Sequence, residues 1–114
     1  MSEFILIFRL SKNNSSKPTP EQIKERMDWL GSIASQQKLA DKGNTFSPAN
    51  ARIVKPGNIV IDGPYEAGDE FVSGYMIVKT ETINEAVEFA KANPIFKVGG
   101  SIEVREIVKL ITGR

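Results

Sequence analysis

The 114-residue sequence predicts an α+β fold of the ferredoxin-like type, in β-α-β-β-α-β order with an extra central hairpin. Three observations predict it: apolar strand-like segments at both ends of the chain, two segments that open with helix-capping residues, and a Pro-Gly turn between two short β-branched runs. In this fold an antiparallel sheet carries both helices on one face. The length suits one domain, and we expect residues 1–114 to form it.

The first predicted strand is residues 4–10, FILIFRL. Because side chains alternate between faces along a strand, Ile5 and Ile7 lie on one face, and Arg9 follows them on that face. The other face is apolar throughout and carries Phe4, Leu6, Phe8 and Leu10. A strand that is apolar on both faces needs a cover on both sides, and the helices of this fold cover only one. We therefore predict a homodimer that packs sheet against sheet.

The segment TPEQ predicts the start of the first helix, with Thr19 as N-cap, Pro20 at N1 and Gln22 closing a capping box. Apolar residues then recur at helical spacing to form a narrow stripe, namely Ile23, Met27, Leu30 and Ala34. Trp29 lies at the shoulder of this stripe, where it either walls a pocket or caps the edge of the core. We expect the helix to end near Gln37–Lys38, and Gly43-Asn44 to form a turn.

The central hairpin is predicted from residues 51–55 and 58–61, which flank Pro56-Gly57. Proline followed by glycine at the two central positions is typical of a type II turn. Residues 73–79 form the next predicted strand.

The second helix is predicted from the segment TINE, residues 82–85, a second capping box. Asn93-Pro94 ends this helix because the residue before proline avoids helical geometry. Gly99-Gly100 then marks a turn, and the alternating apolar residues of 101–111 predict a closing strand.

The composition excludes several kinds of chemistry. The chain has no cysteine and no histidine, so disulfides, thiolate or imidazole metal sites, cysteine nucleophiles and histidine bases are all excluded. We expect no metal and no cofactor. Fifteen basic and fourteen acidic residues give a net charge of +1, so direct binding to nucleic acid is not expected. The N-terminal segment MSEFILIFRL does not have the features of a signal peptide or a membrane span, and we expect a cytoplasmic protein.

Asp62 is the first candidate site residue, at the corner Asp62-Gly63-Pro64-Tyr65. A carboxylate at the end of a strand can act as a general base or hydrogen-bond acceptor. The alternative is an Asx-type cap, in which the carboxylate accepts backbone N–H groups and shapes the turn. Tyr65 and Tyr75 can present hydroxyl groups to a ligand, or they can pack against the sheet with a polar tip.

Glu103 and Arg105 are two residues apart, so they share one face of the last strand. Either they line the interior of the dimer, where Arg105 would hold an anionic group, or they form ion pairs with Arg52 or Arg9 or face solvent. Clustered acids at residues 66–70 lack the spacing of a calcium loop, which favours a solvated loop.

The corner at residues 62–65, followed by Glu70, Gly74-Tyr75, a proline-ended helix and the segment IEVR at residues 102–105, resembles the DGPF subgroup of the YCII-related proteins. The resemblance runs from about Gly43 to Ile107. It implies a dimeric α+β barrel of ferredoxin-like subunits. It also implies small bacterial relatives, some of them associated with sigma-factor-type transcription control and others proposed as enzymes.

The broader family has a suggested histidine–aspartate dyad, which the resemblance does not carry over to this chain. The sequence has no histidine, and Asn93 stands where some relatives carry aspartate. Asn93 and Arg52 are kept as candidate ligand-binding residues.

Three functions follow as hypotheses. The first is a dimer that binds an unknown small molecule in a polar and aromatic pocket near Asp62, between helices and sheet or inside the barrel. The second is an enzyme that uses Asp62 as general base, with Tyr65, Tyr75 or Arg105 orienting the substrate. The third is a regulatory module that acts through a protein partner.

Overall fold

The structure of the chain, a computed structural model, describes residues 1–13 and 17–109. Over these described residues, seven strands and two α-helices follow one another, with a 3₁₀ helix after the second α-helix. In chain order they are β1 Ser2–Ser11, α1 Pro20–Ser35, β2 Leu39–Thr45, β3 Arg52–Lys55, β4 Ile59–Asp62, β5 Glu66–Ala67, β6 Glu70–Thr80, α2 Ile83–Lys91, the 3₁₀ helix Pro94–Val98 and β7 Ser101–Glu106.

The main sheet has the order β2-β6-β1-β7, and the short β5 pairs with β6. Every pairing is antiparallel. When the hairpin β3–β4 and β5 are set aside, the first and third of the four remaining strands lie in the centre of the sheet, as in a ferredoxin-like α+β fold. The predicted α+β class with an antiparallel sheet and two helices is therefore confirmed, whereas β2, which completes the sheet, was not predicted as a strand.

The core lies between the sheet and the two helices. β1 and β6 are in register so that Phe4 pairs with Val78 and Leu6 with Met76, which places these four side chains on the same face. The helices contribute the rest of the buried apolar residues, which are Trp29, Ile33, Ala86 and Ala90. Both helices therefore cover one face of the sheet, and we call the opposite face, with Ile5, Ile7, Tyr75, Ile77, Glu103 and Arg105, the open face.

Helix α1 begins as predicted, because its capping box is local in sequence. The Thr19 hydroxyl accepts from the Gln22 backbone N–H at 3.2 Å, and the Gln22 side chain accepts from the Thr19 N–H at 2.9 Å. Only part of the predicted apolar stripe faces the core, where Leu30 packs against the core cluster. Ile33 and Trp29 are buried, whereas Ile23 and Met27 are more than half exposed.

Helix α2 begins at the predicted residue, although only half of its capping box forms. The Thr82 hydroxyl accepts from the Glu85 N–H at 3.2 Å. The Glu85 carboxylate accepts instead from the Glu81 N–H at 3.1 Å and forms an ion pair with Lys38. The hydrogen bond from Lys38 lowers the pKa of Glu85 below its ordinary value.

Two predicted boundaries are wrong. Gly43-Asn44 is not a turn but lies within β2, where the pairing with β6 shifts register between Asp41 and Asn44. The closing strand ends at Glu106, and residues 107–109 continue without strand structure. Residues 110 and 111 of that prediction lie outside the described residues.

The hairpin β3–β4 forms as predicted, but as a separate two-stranded sheet. Lys55 pairs with Ile59 across the turn, and Gly57 has a φ of +82°, which suits glycine in a type II turn. At its base the Gly63 N–H donates to the Ala51 carbonyl at 2.9 Å.

Across the described part of the chain, no helix has both the length and the apolar character needed to cross a membrane.

Candidate functional site

A cavity of about 590 Å³ lies between α1, the 3₁₀ helix and the main sheet. Its size falls within the range of small-molecule binding sites, which are mostly apolar with a few placed polar groups. The apolar residues around it come from three directions: the sheet, helix α1 and the 3₁₀ helix. They include Phe8, Met76, Ile23, Met27, Trp29, Leu30 and Ile95. We call this space the helix-side cavity.

The rotation of α1 explains why this cavity exists. Trp29 turns toward the sheet, where its ring meets Phe8 edge to face at 6.3 Å and its indole N–H donates to the Phe89 carbonyl at 2.8 Å. This contact directs Trp29 and Ile33 into the core. Ile23 and Met27 then line the cavity instead of filling it.

Trp29 therefore has both roles that the sequence left open. It belongs to the buried core cluster, and it also lines the helix-side cavity. A ring that is fixed by an aromatic contact and a hydrogen bond provides a rigid wall for a ligand.

Asn93 places a polar group beside this apolar space. The residue is 6% exposed, and its Oδ1 accepts from the Ile95 N–H at 2.7 Å, which caps the 3₁₀ helix. Within residues 1–13 and 17–109, the Nδ2 group of Asn93 has no hydrogen-bond partner. Among the described residues no side-chain nitrogen or oxygen is both buried and unpartnered, so Nδ2 reaches solvent and its amide hydrogens are available to a bound molecule.

The charged residues around the cavity are Arg26, Lys42, Lys97 and Glu25. Lys97 forms an ion pair with Glu25. Arg26 and Lys42 form no ion pair with any described residue. The rim of the cavity therefore carries two cations that form no ion pair with a described residue.

A second group of candidates lies on the open face. Arg9 donates to the Glu103 carboxylate at 2.7 Å, and this hydrogen bond lowers the pKa of Glu103 below its ordinary value. The charge of Arg105 acts in the same direction. Of the ion-pair partners that the sequence suggested for Glu103, the structure selects Arg9.

Tyr75 also belongs to the open face. Met76 is buried beneath the helices, so alternation along β6 turns the Tyr75 ring to the opposite side, although Tyr75 is among the residues around the cavity. Its ring packs against Phe46 at 5.8 Å, and its hydroxyl accepts from the Asn44 side chain at 3.2 Å.

The third group lies on and beside the hairpin. The Asp62 side chain is 91% exposed, and one of its oxygens lies 3.5 Å from Arg52 Nε. Among the described residues no backbone N–H donates to this carboxylate, so its partner is Arg52 and not a turn amide. Tyr65 is 73% exposed. None of these three residues lines the helix-side cavity.

The seven predicted site residues thus do not meet at one place. Asn93 lines the cavity, Tyr75, Glu103 and Arg105 occupy the open face, and Arg52, Asp62 and Tyr65 lie on or beside the hairpin. Their roles stay predictions. Where the structure describes the chain, it has no group of three or more side chains that could hold a metal ion.

Of the cavity residues on α1, sequence reasoning named Trp29 as a candidate wall but did not identify Ile23 or Met27. The sequence signal for these residues is the width of the apolar face of α1, which carries Ile23 and Met27 on one side and Trp29 and Ile33 on the other. The core buries only part of so wide a face, so the remaining apolar residues border another surface or space.

Comparison with known proteins identifies the family of the chain. A search of curated proteins found no match. The family model of the YCII-related domain matches residues 4–111, from the first strand to beyond the last one, and so extends well past the segment that carries the resemblance. The DGPF subgroup stays a prediction. With a match over nearly its whole length, the chain belongs to the YCII-related family.

Proposed function

We propose that this YCII-related protein binds a small molecule in the helix-side cavity. The observation that carries the proposal is the combination of an apolar space of about 590 Å³ with one buried side chain, Asn93, whose Nδ2 has no partner among the described residues. An apolar cavity with few placed polar groups is the usual form of a small-molecule site. The sequence placed a pocket near Asp62; this proposal places it beside Asn93.

A neutral aromatic probe tests the proposal. We expect N-phenyl-1-naphthylamine, excited directly, to gain fluorescence on binding, and Ile23→Trp to weaken its binding by at least about tenfold. The reason is steric, because Ile23 stands at the cavity with half of its surface exposed, and an indole there would occupy the space.

The matched control is Ile83→Trp. Ile83 is also a half-exposed helical isoleucine, but it begins α2 and does not line the cavity. This variant should bind the probe as the unmodified protein does. Equal binding by both variants, or no binding by the unmodified protein, would contradict the proposal.

We also propose that the protein is a homodimer that packs through the open face. Ile5 pairs with Ile77 in the centre of this face, with Ile7 beside them, and both described helices lie on the other side of the sheet. A contiguous apolar row of this kind on a sheet favours association with another surface. A second copy of the same sheet would complete an α+β barrel, as the family resemblance implies.

Light scattering coupled to size-exclusion chromatography tests the dimer. We expect Ile77→Lys to shift the protein from dimer to monomer, because a lysine in the middle of an apolar interface has no partner for its charge. Ile83→Lys, on the helix side, should leave the dimer intact. A monomeric unmodified protein at micromolar concentration would overturn this part of the proposal.

A further inference from the structure

The helix-side cavity has a local charge that the whole chain lacks. The net charge of the protein is +1, yet the charged residues around the cavity in the described part of the chain are three cations and one carboxylate. Glu25 is engaged by Lys97. The cations that remain, Arg26 and Lys42, are exposed and form no ion pair with a described residue.

These two cations come from different walls. Arg26 is three residues after Ile23 and four before Leu30 on α1, so it shares the helix face that borders the cavity. Lys42 belongs to β2, in the segment where the pairing with β6 shifts register. Asn93 adds an amide donor from the start of the 3₁₀ helix. Side chains that can donate hydrogen bonds, from three separate segments, therefore border one space.

The donors and the apolar wall together define a class of ligand. Arginine binds carboxylate and phosphate groups through paired N–H donors, and lysine adds a point charge. Asn93 Nδ2 likewise donates, whereas the one carboxylate at the cavity is held by Lys97. Phe8, Trp29 and Met76 offer an apolar and aromatic surface to the rest of the molecule. Resting on the function proposed above, we infer that the ligand is an amphipathic organic anion with an apolar or aromatic body.

Two probes that differ by one group test the inference. 8-Anilinonaphthalene-1-sulfonate has the ring system of N-phenyl-1-naphthylamine and adds a sulfonate. We expect the unmodified protein to bind the sulfonate at least about tenfold more tightly at low ionic strength, with the advantage falling as salt is added. Ile23→Trp should weaken the binding of both probes, which locates them in the cavity.

The decisive variant is the double substitution Arg26→Gln with Lys42→Gln. It should weaken binding of the sulfonate by about tenfold and change binding of the neutral probe by less than about twofold, because only the charge is removed. The control is Lys55→Gln with Lys79→Gln, which lowers the net charge equally at two exposed residues outside the cavity. Circular dichroism checks that both double variants are folded.

The possible outcomes separate the two proposals. If the neutral probe binds in the cavity and the sulfonate has no advantage, the anion inference is overturned and the binding function stands. The inference is also overturned if the control variant and the cavity variant lose the tighter binding of the sulfonate to the same extent. That result would mean that the sulfonate responds to the total charge of the protein. If neither probe binds, the proposed function fails and the inference fails with it.

Discussion

Gly43→Ala is expected to destabilise the protein by more than about 4 kcal/mol, a large fraction of the stability of an ordinary domain. Gly43 lies within β2 with a φ of +75°, a region that favours glycine. A Cβ at this position would lie 1.6 Å from the Tyr75 carbonyl oxygen and 2.5 Å from the Tyr75 carbonyl carbon. Both are backbone atoms of the neighbouring strand β6, so the clash is relieved only by separating β2 from β6.

The matched control for this change is Gly57→Ala. Gly57 has a similar φ of +82°, in the turn of the hairpin, but a Cβ there would meet no atom within 4 Å. This variant therefore incurs the conformational strain alone, about 1–2 kcal/mol. Urea unfolding monitored by circular dichroism measures both. If Gly43→Ala lowers the free energy of unfolding no more than Gly57→Ala does, the close approach of β2 to β6 at Gly43 is contradicted.

Trp29→Ala has the second large expected effect, a loss of about 3–5 kcal/mol. The indole is buried in the core cluster, meets Phe8 edge to face and donates to the Phe89 carbonyl. Its removal would leave a space that is continuous with the helix-side cavity, which Trp29 already borders. Urea unfolding with linear extrapolation measures the change in the free energy of unfolding.

Trp29→Phe separates packing from hydrogen bonding. Phenylalanine retains an aromatic ring against Phe8 but cannot donate to the Phe89 carbonyl, which still accepts from the Ala92 N–H at 3.3 Å. We expect a cost of about 1 kcal/mol for the lost hydrogen bond and a further cost for the smaller ring, with a total below that of Trp29→Ala. Met27→Ala, at a residue more than half exposed on the same helix, serves as the surface control. If Trp29→Ala lowers the free energy of unfolding no more than Met27→Ala does, Trp29 does not belong to the core.

The helix starts and the hairpin could be predicted because they depend on neighbours in the sequence. Thr19 and Gln22 are three residues apart and cap α1 with each other, whatever the rest of the chain does. The Pro56-Gly57 turn is likewise set by the backbone preferences of two adjacent residues. The second capping box shows the limit of such reasoning, since Glu85 bonds to Glu81 and to Lys38 of a distant segment.

The candidate site was less predictable because it depends on which residues meet in space. The corner at Asp62 had the residue types of a site, yet it lies beside a hairpin where Asp62 pairs with Arg52 at the surface. Glu103 and Arg105 share a strand face as predicted from alternation, and the structure adds Arg9 as the partner of Glu103. Asn93 is the one candidate whose side chain is buried beside the cavity.

By itself the sequence determined the α+β class, the starts of the two helices, the central hairpin and the family. It also excluded histidine and cysteine chemistry, because the chain has neither residue. These properties follow from composition and from patterns that extend over a few residues. Only the tertiary structure decided which arc of α1 faces the core, and so that Ile23 and Met27 border a cavity. The reason is physical: the rotation of α1 depends on contacts of Trp29 with Phe8 and with the Phe89 carbonyl, 60 residues away from Trp29.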